Sequence, residues 1–184
     1  MPLTLNDALA DYYEVKRGSY KPTSWRGIQQ RLEHWRTWVT RATQPYVYLA
    51  DVADPGERYM ERYFNKLRPP AYKPASFNLF RQHLNGFWAY TRDRGWVHTN
   101  PMMHVDPLRN PRKINLMLSA EELINLLESA DDPRDRAALA LGMNTGLRAG
   151  DITTLTVGDV DLTSNRLTAW IEKANEQRTF GITA

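Results

Sequence analysis

The chain has 184 residues, with 24 Lys and Arg against 21 Asp and Glu, a net charge of +3 and 42% hydrophobic side chains, enough for one sizeable domain or two small ones. It contains no Cys, which removes disulfides, thiolate zinc sites and cysteine nucleophiles together. No apolar run approaches the ~18 residues of a membrane span, and no basic segment followed by an apolar stretch marks a secretory signal. A cytoplasmic protein without membrane contact is expected.

The net charge hides a division. Residues 1–113 carry 18 Lys and Arg against 10 Asp and Glu, a balance of +8, whereas residues 114–184 carry 6 against 11, a balance of −5. A basic half joined to an acidic half points to a polyanionic partner for the first.

Leu3 to Arg17 reads as a first helix, capped by Thr4 or Asn6, with Leu5, Leu9, Tyr12 and Val15 as its apolar stripe. Gly18 and Pro22 break it. A second helix begins at Thr23 or Ser24 and carries Trp25, Ile28, Leu32, Trp35 and Val39 at steps of three and four, with Arg26, Arg31, Arg36 and Arg41 mostly off that stripe. Pro45 to Leu49 reads as a connector. A third helix follows Asp54-Pro55, with Tyr59, Tyr63, Phe64 and Leu67 inward. Pro69-Pro70 ends it, and Lys73-Pro74 opens a fourth with Phe77, Phe80, Leu84, Phe87, Trp88 and Thr91 on one face. Gly95, Trp96 and Asn100-Pro101 close that helix. Four helices with aromatic inner faces and short loops imply a compact antiparallel bundle, and aromatics at this spacing are core residues before they are base-stacking platforms.

Asp106 to Leu118 has three basic residues, two prolines and no periodicity, which is the pattern of a linker. Arg109, Arg112 and Lys113 suit an extended segment crossing a phosphate backbone or a plain solvated linker. Ser119 and Glu122 form a capping box for a helix bearing Leu123, Leu126 and Leu127. Pro133 starts a longer helix whose stretch Ala137 to Met143 is almost wholly apolar and is expected to be buried. Gly146 stops that helix, and Gly150 lets the chain turn into a short helix over 151–156. Arg148 is the one cation between Ala137 and Val157. An unpaired guanidinium at such a junction is costly to bury, so it pairs with Asp151 or awaits an anion. After Leu162 the period changes to two, and Arg166 to Glu172, a turn at Ala174-Asn175-Glu176, and Gln177 to Thr183 read as a β-hairpin.

The run Thr145-Gly146-Leu147-Arg148-Ala149-Gly150-Asp151, followed by Leu155 and Asp159-Val160-Asp161-Leu162, resembles the first active-site box of the tyrosine recombinases, the phage integrase family. Gly95-Trp96-Val97, Asn100-Pro101 and the Leu118 to Glu122 run are also similar to that family's features. The resemblance implies a mainly α fold with a small antiparallel β-hairpin: an N-terminal four-helix, SAM-like bundle followed by a truncated α+β catalytic domain. The corresponding divisions are a core-binding domain over 1–105, a linker over 106–117, and an N-terminal part of the catalytic domain over 118–184. In the family the second and fourth bundle helices meet the major groove. That implies DNA contacts from Arg26, Arg31, Arg36, Lys73 and Arg81, joined by the linker residues Arg109, Arg112 and Lys113.

The resemblance also assigns chemistry. Arg148 would grip the scissile phosphate, Asp151 would orient it, and Lys173, in a Lys-x-x-x-x-Arg pattern with Arg178, would donate a proton to the leaving oxygen. No metal or nucleotide cofactor is implied. The family's His and Arg boxes and its nucleophilic Tyr follow the hairpin, whereas the nine Tyr here end at Tyr90 and the four His at His104. The expectation is a DNA-binding fragment of a recombinase that is inactive alone, or alternatively a naturally short module that occupies recombination sites without cutting. Its partners would be double-stranded DNA at recombination or attachment sites and other copies of itself on DNA, a tetramer in the full-length family. Residues 114–184 would form an incomplete layer whose hairpin and helices expose apolar surface.

Overall fold

A computed structural model describes residues 3–43, 47–54, 58–111 and 117–182, and divides the chain into two compact units, residues 1–112 and 113–184. Eight α-helices and a three-stranded antiparallel sheet are present among the described residues. None of these helices is long and apolar enough to cross a membrane.

The first unit contains α1 (Leu5–Lys16), α2 (Pro22–Thr43), α3 (Leu49–Ala53), α4 (Tyr59–Leu67) and α5 (Pro74–Asp93). Thr4 caps α1 by accepting from the Asp7 N–H at 3.1 Å. The α2 stripe from Trp25 to Val39 and the α5 stripe from Phe77 to Thr91 are buried, with Trp35, Phe87 and Trp88 fully so. Edge-on ring contacts join the α5 stripe to α2, Trp35 to Trp88 at 5.7 Å, and to α1, Tyr12 to Phe87 at 5.5 Å between centroids. The ring quadrupole favours that geometry over face-to-face stacking. Each fully buried large apolar side chain contributes about 1.5–3 kcal/mol of transfer free energy, so these aromatics dominate the stability of the unit.

Two features depart from the sequence reading. The expected connector at Tyr48-Leu49 leads into α3, which is tied to the start of the chain by Leu5 N–H to the Val47 carbonyl at 2.9 Å and Leu49 N–H to the Leu3 carbonyl at 3.0 Å. Residues 105–108 are also held against α5. The Asn78 amide donates to the Leu108 carbonyl at 2.7 Å and accepts from the Leu108 N–H at 2.8 Å, while Arg81 donates to the Val105 carbonyl.

The second unit contains α6 (Ala120–Glu128), α7 (Pro133–Thr145), α8 (Ala149–Thr153), β1 (Val160–Asp161), β2 (Arg166–Ile171) and β3 (Glu176–Gly181). Both arms of the capping box at α6 are made, Glu122 N–H to Ser119 Oγ at 3.2 Å and Ser119 N–H to Glu122 Oε2 at 2.7 Å. The sheet order is β1-β2-β3, with Val160 opposite Leu167 and Ile171 opposite Glu176. The short β1 joins the expected hairpin as a third strand.

Burial in this unit corrects two expectations. None of the α7 residues is buried, and the Ala137–Met143 stretch is half-buried to exposed, because α7 packs on α6 and α8 and leaves another flank uncovered within the unit. The hairpin does not bare its apolar face. Leu167, Ala169 and Ile171 are buried with Leu147, backed by Leu141, Ile152, Leu155 and Val160. The strand alternation turns Trp170 outward instead, 53% exposed.

Candidate nucleic-acid interface

The junction between α7 and α8 is built by backbone chemistry. Gly146 ends α7 at φ +67°, a left-handed conformation that a residue with a Cβ resists. The Thr145 hydroxyl donates to the Leu141 carbonyl at 2.5 Å and accepts from the Leu147 N–H at 3.2 Å. Leu147 is thereby directed into the small core, and Arg148 follows in extended backbone as the residue preceding α8. The glycine that turns the chain is Gly146. Gly150, expected to make a turn, lies inside α8, which begins at Ala149.

Arg148 is not buried. Its side chain is 60% exposed, and its Nη1 stands 3.8 Å from Oδ2 of Asp151, whose side chain is 5% exposed. An ion pair this long with one partner in solvent is weak, so the guanidinium keeps donors for another anion. The other oxygen, Oδ1 of Asp151, accepts the Glu172 N–H at 3.2 Å, and buried Oδ2 has no hydrogen bond among the described residues. One buried carboxylate therefore faces Arg148 on one side and the β2–β3 turn on the other. Lys173 is the next residue in that turn, and it is exposed. The turn is closed by the N–H groups of Ala174 and Asn175 donating to the Ile171 carbonyl at 3.1 and 2.8 Å. Arg178 is ion-paired with Glu176.

In the first unit the candidate contacts separate into two groups. Arg26 and Lys73 are exposed, Arg26 in the first turns of α2 and Lys73 at the residue preceding α5. Arg31, Arg36 and Arg81 are half-buried and have internal partners. Arg31 donates to the Gly27 carbonyl at 2.8 Å and lies 5.6 Å from the Phe80 ring centre. Arg36 pairs with Glu33 at 2.7 Å, and Glu33 also accepts the Tyr13 hydroxyl at 3.0 Å. Burial, reinforced by Glu33, pushes the Tyr13 hydroxyl pKa up. Arg81 is held by Val105 as described. Arg109 is exposed, whereas Arg112 and Lys113 lie outside the described residues.

His83 lies close to Arg31 in charge terms. Burial and then the Arg31 guanidinium hold its imidazole below the ordinary value of 6.5. Tyr90 has an occupied hydroxyl, which donates to Asp11 and accepts from Arg94 Nε at 2.9 Å. The sequence reading named Arg41 only as lying off the core stripe and did not single out Trp38, Arg62 or Lys66, which share a groove with it.

The family model described as phage integrase family matches residues 117–183. Tyrosine recombinase XerC of Xanthomonas campestris pv. campestris is 27% identical over 132 residues, 70% of this chain and 41% of that protein. XerC of Vibrio cholerae serotype O1 is 31% identical over 110 residues, 58% of this chain and 35% of that protein. The putative defective protein IntQ of Escherichia coli K12 is 28% identical over 93 residues, 50% of this chain and 23% of that protein. The chain thus spans less than half the length of these relatives.

Among solved structures, a lambda integrase dimer bound to a COC′ core site superposes with a TM-score of 0.71 at 19% identity, covering 98% of this chain and 49% of that one. The Tn1549 transposon integrase in complex with a circular intermediate DNA gives a TM-score of 0.73 at 13% identity, covering 98% and 62%. These likenesses concern the fold. The family model over residues 117–183, the XerC relatives and the box around Arg148 together support the tyrosine recombinase, or phage integrase, family for this chain.

Proposed function

We propose that this chain binds duplex DNA at recombination sites in the cytoplasm, and that within residues 1–184 it holds the DNA without cutting it. The helical bundle, bounded near residue 105, supplies the affinity through its excess of cations. The exposed Arg26, Lys73 and Arg109 make phosphate contacts, and Arg31, Arg36, Arg81, Arg112 and Lys113 extend that surface. Residues 118–184 present Arg148 and Lys173 to one phosphodiester, and residues between them and the bundle act as the linker. The solved lambda integrase tetramer is bound to a Holliday junction, and assembly of several copies on DNA is part of the same reading.

The observation that carries it is the Asp151 carboxylate, buried between Arg148 and the turn that bears Lys173. A guanidinium offers a phosphate two parallel hydrogen bonds, where an ammonium is a point charge. The ammonium in turn has a transferable proton, which suits Lys173 to a leaving 5′-oxygen. Asp151 orients both. The family's covalent step needs a tyrosine, and no Tyr follows Tyr90 in the sequence. Tyr90 does not replace it, because its hydroxyl serves Asp11 and Arg94 and burial, then the bond to Asp11, raises its pKa.

The test combines two measurements on residues 1–184. Anisotropy with labelled duplex should show a log–log salt slope of about −0.9 per phosphate neutralised. A suicide substrate nicked near the scissile phosphate should yield no covalent adduct. Salt-independent affinity would remove the electrostatic basis of the reading, and an adduct would remove the claim of binding without cleavage.

A further inference from the structure

Between α2 and α4 the described residues form an open groove of about 350 Å³ lined by Trp38, Arg41, Arg62 and Lys66. We propose that this groove is an additional phosphodiester-binding site, which holds the DNA backbone alongside the contacts made by Arg26 and Lys73. The proposal rests on the reading that the first unit binds duplex DNA.

Three of the four lining side chains are cations, and no carboxylate lines the groove. Arg41, Arg62 and Lys66 are all exposed. Among the described residues none of the three has an ion pair or a hydrogen bond through its charged group, whereas Arg36 and Arg81 are satisfied internally. Arg62 and Lys66 are four residues apart on α4 and so share a side of that helix, an arrangement of like charges that is unfavourable without a counter-charge.

Aromatic faces hold two of these cations. Lys66 Nζ lies 5.4 Å from the Trp38 ring centre, and the Arg62 guanidinium lies 5.7 Å from that of Tyr59. Trp38 is itself braced against the largely buried Tyr63 at 5.3 Å. A cation over a ring keeps its stem ordered while N–H groups pointing away from the ring stay open to an acceptor. The groove thus offers positive charge that has no ion pair or hydrogen bond among the described residues. A phosphodiester matches it, because each carries one negative charge and accepts the paired donors of a guanidinium. Backbone contacts of this kind add affinity without reading sequence.

The test compares the full 184-residue chain with the triple variant Arg41→Gln, Arg62→Gln, Lys66→Gln in anisotropy titrations of a mixed-sequence labelled duplex across a salt series. The triple variant should bind more weakly, with a slope shallower by about 0.9 for each cation that neutralised a phosphate, and equally so on unrelated sequences. A charge-retaining variant, Arg41→Lys, Arg62→Lys, Lys66→Arg, should keep the parent slope. A Gln variant with the parent slope overturns the site and leaves the groove to an acidic protein surface. Equal weakening in both variants also overturns it, since packing would then be the cause. If the unaltered chain fails to bind the duplex at all, the underlying DNA-binding reading falls and the groove assignment with it.

Discussion

The buried Asp151 carboxylate accepts a hydrogen bond from the backbone N–H of Glu172, 21 residues further along the chain, at 3.2 Å. This bond joins α8 to the last residue before Lys173, so the carboxylate beside Arg148 also fixes where the β2–β3 turn begins. Removing it leaves a backbone donor without its acceptor. Asp151→Ala should therefore cost the second unit about 1–3 kcal/mol, read by urea unfolding, and should speed hydrogen exchange at the Glu172 amide. Asp151→Asn, which keeps an acceptor oxygen, should cost less. Unaltered exchange at Glu172 in the Ala variant would show that this bond does not hold the turn.

Each unit should depend on its own core. Trp35, fully buried against Phe87 and Trp88 of α5, should cost about 3–5 kcal/mol as Trp35→Ala, and Leu167→Ala about 2–5 kcal/mol. Residue-resolved hydrogen exchange separates the two, with loss of protection confined to the unit that carries the substitution. An unchanged melting temperature for either variant would contradict the burial assigned to it.

Gly146 sits at φ +67° with open space where a Cβ would project. The expected penalty is therefore backbone strain alone. Gly146→Ala should destabilise by about 1–2 kcal/mol, the cost of a left-handed L-residue, measured as a shift in the unfolding midpoint. A neutral result would mean that the α7–α8 junction relaxes to another backbone conformation.

The depressed pKa of His83, caused by burial and then by Arg31, has a definite sign in stability. The unfolded chain binds the proton more readily than the folded one, so this histidine costs no stability well above pH 6.5 and destabilises the fold as the pH falls below that ordinary value. Subtracting the stability profile of His83→Gln from that of the unaltered protein isolates its contribution. The difference should be flat at neutral pH and turn against the unaltered protein on acidification. A difference that does not vary with pH would exclude the linkage.

Local chemistry made much of this protein readable before any fold was known. The aromatic stripes of α2 and α5 recur at helical spacing, Ser119 and Glu122 cap α6 from three residues apart, and Gly146 stops α7 because a left-handed residue is needed there. Such signals act between neighbours in sequence. The two-residue β1 and the five-residue α3 were not legible, since neither is long enough to show a period. What covers a helix is likewise absent from its own residues. The apolar run in α7 has the composition of a buried helix and is half-exposed, while Leu167 and Ile171 are sealed by Leu147 and α8. Charges follow the same division. Arg26 and Arg81 are one residue type in the sequence, and only packing set Arg26 in solvent and Arg81 against the Val105 carbonyl, whereas Arg36 meets Glu33 three residues away on its own helix. Periodicity, caps, stops and pairs such as Arg36 with Glu33 are determined by adjacent side chains and backbone sterics, whereas exposure, the Arg81–Val105 contact and the Asp151–Glu172 bond depend on which distant segment the folded chain lays across each residue.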